Sequence, residues 1–367
     1  MNKTGFGFLR LPLLDHTDET SIDYEALLPM VDRFLEMGGT YFDTAYTYLG
    51  EKSEEALRKA LVERHPRESF RIADKLPGWK VKCHEECWEY FNTQLQRCGV
   101  EYFDVYLIHW LNKENYAICE QTDQFAFLRI IKEEGKAKAI GFSYHDSPEL
   151  LDRILTEHPE VDYVQLQINY LDWDSVSIQA WRCYETAVAH GKKVLIMEPV
   201  KGGSLVNLPA AAEQLLKSYD PEASIPSWAI RFASSLDKVE IVLSGMNSLG
   251  QIEDNLRSFT PLSDRELQLL AEAAEIIRTN TAIPCTGCNY CAPNCPKAIP
   301  IPKYFALYNE YARNPDEDWK MQHVYDSLSD CAAKASDCIG CKRCEKNCPQ
   351  KLEITNYLTL VSKAFEH

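Results

Sequence analysis

The sequence has no run of about 18 apolar residues, the length a membrane-crossing helix needs, so no membrane span is expected. Its first residues, MNKTGFGFLRLP, lack the basic start and apolar stretch of a secretory signal. These two absences predict a soluble, cytoplasmic protein. No G-x-G-x-x-G occurs in the chain, which removes the fingerprint of a dinucleotide-binding open sheet. Positive charge is scarce: 39 Lys and Arg stand against 55 Asp and Glu, a formal net charge of -16. That balance excludes nucleic acid and anionic membrane surfaces as natural partners and favours a small molecule or a redox partner protein. Disorder is excluded by a hydrophobic content of 45%, ample for a core.

Short β-branched or aromatic runs are present in number, alternating with longer amphipathic stretches as far as residue 277. The strand candidates are Gly5 to Arg10, Thr40 to Ala45, Phe70 to Lys75, Asp104 to His109, Ala139 to Ser143, Tyr163 to Asn169, Lys193 to Pro199 and Glu240 to Ser244. Helical patterns separate them, among them Asp23 to Met37, Glu51 to Glu63 and Ser175 to His190, with Ser263 to Arg278 closing the series. Repeated βα units of this kind predict a parallel sheet closed as a (β/α)8 TIM barrel over residues 1–279. From Thr279 the texture changes, with Pro284, Pro293 and two groups of cysteine. A second, mainly helical domain is expected over 280–367, with a helix-like segment from Tyr304 to Asp330 between the groups.

Fourteen cysteines without an export signal argue for metal ligation rather than disulfides. Cys285, Cys288, Cys291 and Cys295, then Pro296, repeat the spacing of Cys338, Cys341, Cys344 and Cys348, then Pro349. In two-cluster ferredoxins such a run gives three thiolates to one [4Fe-4S] cluster and its fourth to the other. By that rule Cys348 joins the first cluster and Cys295 the second. Cys-x2-Cys pairs also suit zinc, but a third cysteine two residues further on is redundant there. Two [4Fe-4S] clusters in a ferredoxin-like domain are the expectation. Cys83, Cys87, Cys98, Cys119, Cys183 and Cys331 have no such spacing and read as ordinary thiols.

In a barrel, polar side chains at the C-terminal strand ends converge on one mouth. Asp43, Lys75 and His109 fall there, with Tyr48 in the loop after Asp43. A lysine beside a tyrosine draws the phenol down from its usual pKa of about 10 towards useful acid–base chemistry. Asp43 would hold Lys75 charged and His109 would orient a substrate oxygen. Tyr46, Trp79 and Trp110 are candidates to wall the pocket.

The motifs F-D-T-A-x-x-Y (Phe42 to Tyr48), A-D-K (Ala73 to Lys75) and Y-L-I-H (Tyr106 to His109) resemble those of the aldo-keto reductases, over roughly residues 5 to 278. Looser matches are G-F-S (Gly141 to Ser143), Q-I-N-Y (Gln167 to Tyr170), E-P-V-K-G-G (Glu198 to Gly203) and S-G-M (Ser244 to Met246). With its cysteine runs, the whole chain is similar to members of that family carrying a fused ferredoxin domain. The resemblance implies a reductase acting on a carbonyl, or on an alkene conjugated to one, in a small molecule, with Tyr48 as general acid. It implies Ser143, Gln167 and Asn169 near a redox-active ring, Ser244 and Gly245 presenting amides to a phosphate, and Asp254 and Asn255 at the adenine end. Three positions depart from the family pattern: Met197 for a stacking aromatic, Tyr144 for an asparagine, and no Arg or Lys in Ser244 to Ser248. The clusters carry single electrons whereas nicotinamide takes hydride, so a flavin is a second candidate, its phosphate cradled by Lys201, Gly202 and Gly203. NAD(P)H and FMN both remain open. The rival reading is a non-catalytic redox sensor or electron-transfer adaptor using the barrel as a platform.

Overall fold

The computed structural model describes residues 3–15, 17–175, 178–258, 260–313 and 318–366. Residues 314–317, inside the expected helix from Tyr304 to Asp330, lie outside the described residues, and so does the Cys331 side chain. Two compact units divide the chain. One comprises Met1–Ser175, Gln179–Val200 and Pro226–Leu267, the other Val176–Ile178, Lys201–Ile225 and Gln268–His367.

The first unit is a closed eight-stranded barrel, with β1 (Thr4–Gly7), β2 (Tyr41–Asp43), β3 (Arg71–Leu76), β4 (Phe103–Leu111), β5 (Ala137–Tyr144), β6 (Tyr163–Gln167), β7 (Lys193–Met197) and β8 (Val239–Gly245) in sequence order. All neighbours are parallel, and β1 closes on β8 with Gly7 opposite Gly245. Side chains alternate across the wall. Tyr41, Ala73, Leu107, Tyr163, Leu195 and Leu243 form one interior cluster. Their neighbours of opposite parity face the helices: Phe42 lies 5.1 Å from Phe34, on the helix Tyr24–Glu36, and Tyr106 donates to Gln94, on the helix His84–Cys98. The interior parity carried forward reaches Asp43, Lys75, His109, Ser143, Gln167 and Met197 at the C-terminal strand ends.

Close strand contact dictates one glycine. A Cβ on Gly141 would stand 2.1 Å from the Tyr163 carbonyl oxygen on β6, a backbone atom that cannot swing aside. Helix starts follow local chemistry. Asp23 accepts from the Ala26 N–H at 3.1 Å and caps Tyr24–Glu36. The helix expected from Ser175 begins instead at Ala180, after a turn in which Gln179 adopts φ +54°. A left-handed residue cannot continue a right-handed helix, so hydrophobic periodicity overran the true start.

The second unit is mainly helical: Ile301–Arg313, Asp318–Cys331 and Ile354–Phe365 enclose a small core with Ile283, Ile299 and Leu352. Tyr325 is its centre, stacked 4.8 Å from Tyr304 and 5.1 Å from Phe365. No helix among the described residues is long and apolar enough to cross a membrane.

Candidate active site and cysteine cavities

Asp43, Lys75, Tyr48 and His109 meet at the barrel mouth. The Lys75 ammonium, 1% exposed, donates to Asp43 Oδ1 at 2.5 Å, to the Thr44 carbonyl at 2.8 Å and to the Tyr48 hydroxyl at 3.4 Å. These bonds use all three of its donors. Burial raises the Asp43 carboxyl above the ordinary range, and the charge and hydrogen bond of Lys75 pull it back. Burial, followed by the carboxylates of Asp43, Asp74 and Glu198, holds the Tyr48 phenol well above its usual value. The lowering expected from Lys75 does not appear, and Tyr48 is a protonated donor at neutral pH. His109 is held well below the usual imidazole range by burial, then by Lys75 and His145, and is therefore neutral. Its ring lies 5.6 Å from that of Tyr48, and its buried Nδ1, like Asp43 Oδ2, has no hydrogen-bond partner among the described residues.

The β4–β5 register shifts between Ile108 and Leu111, immediately around His109. Trp110 takes φ +61°, and its N–H donates to Ser143 Oγ at 2.6 Å while its carbonyl accepts from Asn115 Nδ2 at 2.7 Å. A bulky residue in that conformation is strained, and the strain re-aims β4 at the mouth. Trp79 sits 5.3 Å from His109 and 5.5 Å from Trp110, so these three rings form an aromatic wall. Tyr46 does not join it. Its ring packs edge-on to Tyr90 at 5.0 Å, under the Arg97 guanidinium at 4.4 Å.

The residues expected around a cofactor divide. Ser143 is buried and occupied by the Trp110 N–H. Gln167 donates to Asp172 Oδ2 at 3.1 Å. Asn169 is fully spent on structure: its Nδ2 donates to Asp172 and to the Glu198 carbonyl, and its Oδ1 accepts from the N–H groups of Leu171 and Asp172. Asn255 is likewise buried and donates to Ser244 Oγ at 2.9 Å, bracing the turn rather than facing outward. Met246 is buried, Asp254 and Glu198 are half-buried, and Glu198 holds φ +54°. Gly245 is exposed, a few residues before Ser248 caps the helix Leu249–Arg257.

Sequence reasoning missed Arg10. A Cβ on Gly245 would stand 3.0 Å from Arg10 Cβ and 3.2 Å from its Cδ, so this exposed arginine lies directly over the Ser244–Gly245 turn. The turn contains no cation of its own, yet barrel closure brings one from the end of the first strand. No local pattern carries that signal: β1 pairs with β8, Gly7 opposite Gly245, and the segment just past β1 returns Arg10 over Gly245.

Lys201 corrects the flavin expectation. In the second unit its ammonium is 3% exposed and donates to Gln350 Oε1 at 2.6 Å, with Gly202 and Gly203 continuing the same left-handed turn. A buried, engaged lysine is not an open cradle for a flavin phosphate.

The cysteine runs repeat in backbone as well as spacing: Gly287 and Gly340, Asn289 and Lys342, and Ala298 and Lys351 share positive φ at matching positions. Cys285, Cys288, Cys291 and Cys348 line one cavity. Cys295, Cys338, Cys341 and Cys344 line another. This crossing of the fourth cysteine between runs is the ligand pattern of two-cluster ferredoxins. Among the described residues no three Cys, His, Asp or Glu converge as ligands of a single ion, so the thiols stand around spaces rather than about a point. The donor set therefore fits [4Fe-4S] better than tetrahedral zinc. The Gly287 N–H already donates to Cys285 Sγ at 3.4 Å.

A parallel barrel with a Lys–Asp–Tyr constellation at its C-terminal mouth, joined to a unit with two four-cysteine cavities, defines an iron–sulfur oxidoreductase. The chain belongs to the aldo/keto reductase family, whose model matches residues 5–275, and carries a 4Fe-4S dicluster domain matching 284–353. An aldo-keto reductase of Mycolicibacterium smegmatis is 29% identical over 252 residues, 61% of this chain and 83% of that protein. The NADH-specific methylglyoxal reductase of Escherichia coli is 24% identical over 210 residues, 50% of this chain and 63% of that one. Among solved structures, an aldo/keto reductase from Klebsiella pneumoniae in complex with NADP and acetate shares the fold, with a TM-score of 0.56, 16% identity and coverage of 74% of this chain and 90% of that one.

Proposed function

We propose that this protein reduces the carbonyl of a small organic molecule to an alcohol, with Tyr48 as the proton donor to the carbonyl oxygen. The observation that carries the reading is the Lys75 ammonium, held between the Asp43 carboxylate and the Tyr48 hydroxyl. A reduced nicotinamide, when bound, supplies hydride to the carbonyl carbon. The phenol gives the balancing proton, and the phenoxide left behind is steadied by Lys75 until the half-buried Tyr48 regains a proton from solvent. Neutral His109 presents a ring nitrogen to the substrate oxygen, and Trp79 and Trp110 exclude water from one side. Ser143 and Gln167 lie at the strand ends where a nicotinamide ring would rest.

NAD(P)H is favoured over FMN, because Lys201 is turned to Gln350 while Arg10 offers a cation beside the Ser244–Gly245 turn. The NADP complex of the Klebsiella relative and the NADH-specific methylglyoxal reductase of E. coli support the same choice. In the second unit, Cys285, Cys288, Cys291 and Cys348 are assigned to one [4Fe-4S] cluster and Cys295, Cys338, Cys341 and Cys344 to the other. When bound, these supply one-electron transfer.

Tyr48→Phe tests the acid role. With methylglyoxal and either NADPH or NADH, kcat is expected to fall about a hundredfold or more, with iron content and dinucleotide affinity kept. Unchanged kcat on every accepted carbonyl would end the reading.

A further inference from the structure

Buried polar chemistry is concentrated around one of the two cysteine cavities. Lys201, Gln350 and Thr286 are 3%, 5% and 6% exposed. Gln350 and Thr286 line the cavity of Cys285, Cys288, Cys291 and Cys348. The Lys201 ammonium donates to Gln350 Oε1 at 2.6 Å. An ammonium has no acceptor, so this bond fixes the carboxamide: its oxygen must face Lys201 and its NH2 must face the other way. Gln350 Nε2 has no hydrogen-bond partner among the described residues, and neither has Thr286 Oγ1. Leaving a buried donor unsatisfied is costly, which calls for an acceptor in that cavity.

The repeat supplies an internal comparison. Where the first cavity has Gln350 after Cys348-Pro349, the second has Lys297 after Cys295-Pro296, and where the first has Thr286 the second has Ile339. Lys297 and Ile339 are both exposed. The two sites share their cysteines and differ in what surrounds them.

We propose that Lys201 and Gln350 raise the reduction potential of the cluster held by Cys285, Cys288, Cys291 and Cys348, Gln350 by donating an N–H to sulfur and Lys201 by fixing that carboxamide and adding its charge. This rests on the ligand assignment above. Reduction adds one electron and one negative charge, so a hydrogen-bond donor and a buried cation stabilise the reduced form more than the oxidised one. Lys201 acts through Gln350 and is a positioning residue.

The test is stepwise anaerobic reduction of the fully loaded protein, followed by electron paramagnetic resonance of both clusters. Lys201→Met and Gln350→Leu should each move one cluster to lower potential by a tenfold shift in its reduction equilibrium, about 59 mV for one electron. The other cluster should stay in place, and Lys201→Arg should restore the first. Gln350→Glu keeps the shape and the bond from Lys201 but removes the donor, so it should lower the same potential even if Lys201→Met loads poorly. Two unmoved potentials in Gln350→Glu, or equal shifts of both, would overturn the proposal. A wild-type protein with no [4Fe-4S] signals would instead remove the ligand assignment, which iron and sulfide analysis reads separately.

Discussion

Lys75 shows how little freedom the mouth leaves its residues. Its donors are divided among a carboxylate, a carbonyl and the phenol expected to move a proton. The same burial that makes this network strong keeps Tyr48 protonated, which suits an acid and not a base. Arg10 is the residue proposed for the cofactor side. Replacing it with Met is expected to weaken NADPH binding about tenfold, the worth of one charge-assisted hydrogen bond, read by fluorescence titration; an unchanged Kd would remove Arg10 from the site. The tetrad was legible in the sequence because strand parity and strand ends alone place Asp43, Lys75 and His109 together. Arg10 was not, because its neighbour Gly245 lies on the strand that closes the barrel. The bonds that engage Asn169 and Asn255 within the chain were not legible either. A motif tells which residue occupies a position, while the partners that saturate its side chain come from the fold.

At the scale of elements, the strands were readable and the helix starts were less so. Short β-branched or aromatic runs located all eight strands, whereas the helix expected at Ser175 starts at Ala180, because local backbone conformation at Gln179 overrides periodicity. The tightest joint in the barrel is Gly141 against Tyr163. Gly141→Ala would force β5 and β6 apart at a backbone oxygen 2.1 Å from the new Cβ. A loss of ~3 kcal/mol or more is expected from such overpacking, measured as a lower denaturation midpoint. A stability equal to wild type would show that the sheet yields there at no cost. The β4 bulge works in the opposite sense, spending regular pairing around His109 to aim the side chains beside it.

Across the molecule, the order of residues in sequence and their grouping in space diverge. Lys201 and Gln350 are 149 positions apart yet share one buried hydrogen bond, and the second unit takes in Lys201–Ile225 from the interval between β7 and β8. Periodicity is local and does not carry such pairings, so the domain expected over 1–279 takes in Lys201–Ile225 without a break. The cysteine spacing did carry its long-range grouping, since Cys348 lines the cavity of Cys285, Cys288 and Cys291, as the pattern of two-cluster ferredoxins predicts. Cys348→Ser and Cys285→Ser should therefore disturb the same cluster signal and each remove roughly half of the iron, while Cys295→Ser disturbs the other. If Cys295→Ser and Cys285→Ser disturbed one signal in common while Cys348→Ser disturbed the other, the crossing would be wrong. The crossing also sets an order of assembly during synthesis. On the proposed assignment, a nascent chain completes the ligands of the second cluster when Cys344 emerges, and only Cys348, four residues later, completes those of the cluster that begins at Cys285. The site whose first ligand is made earliest is the last to be able to close.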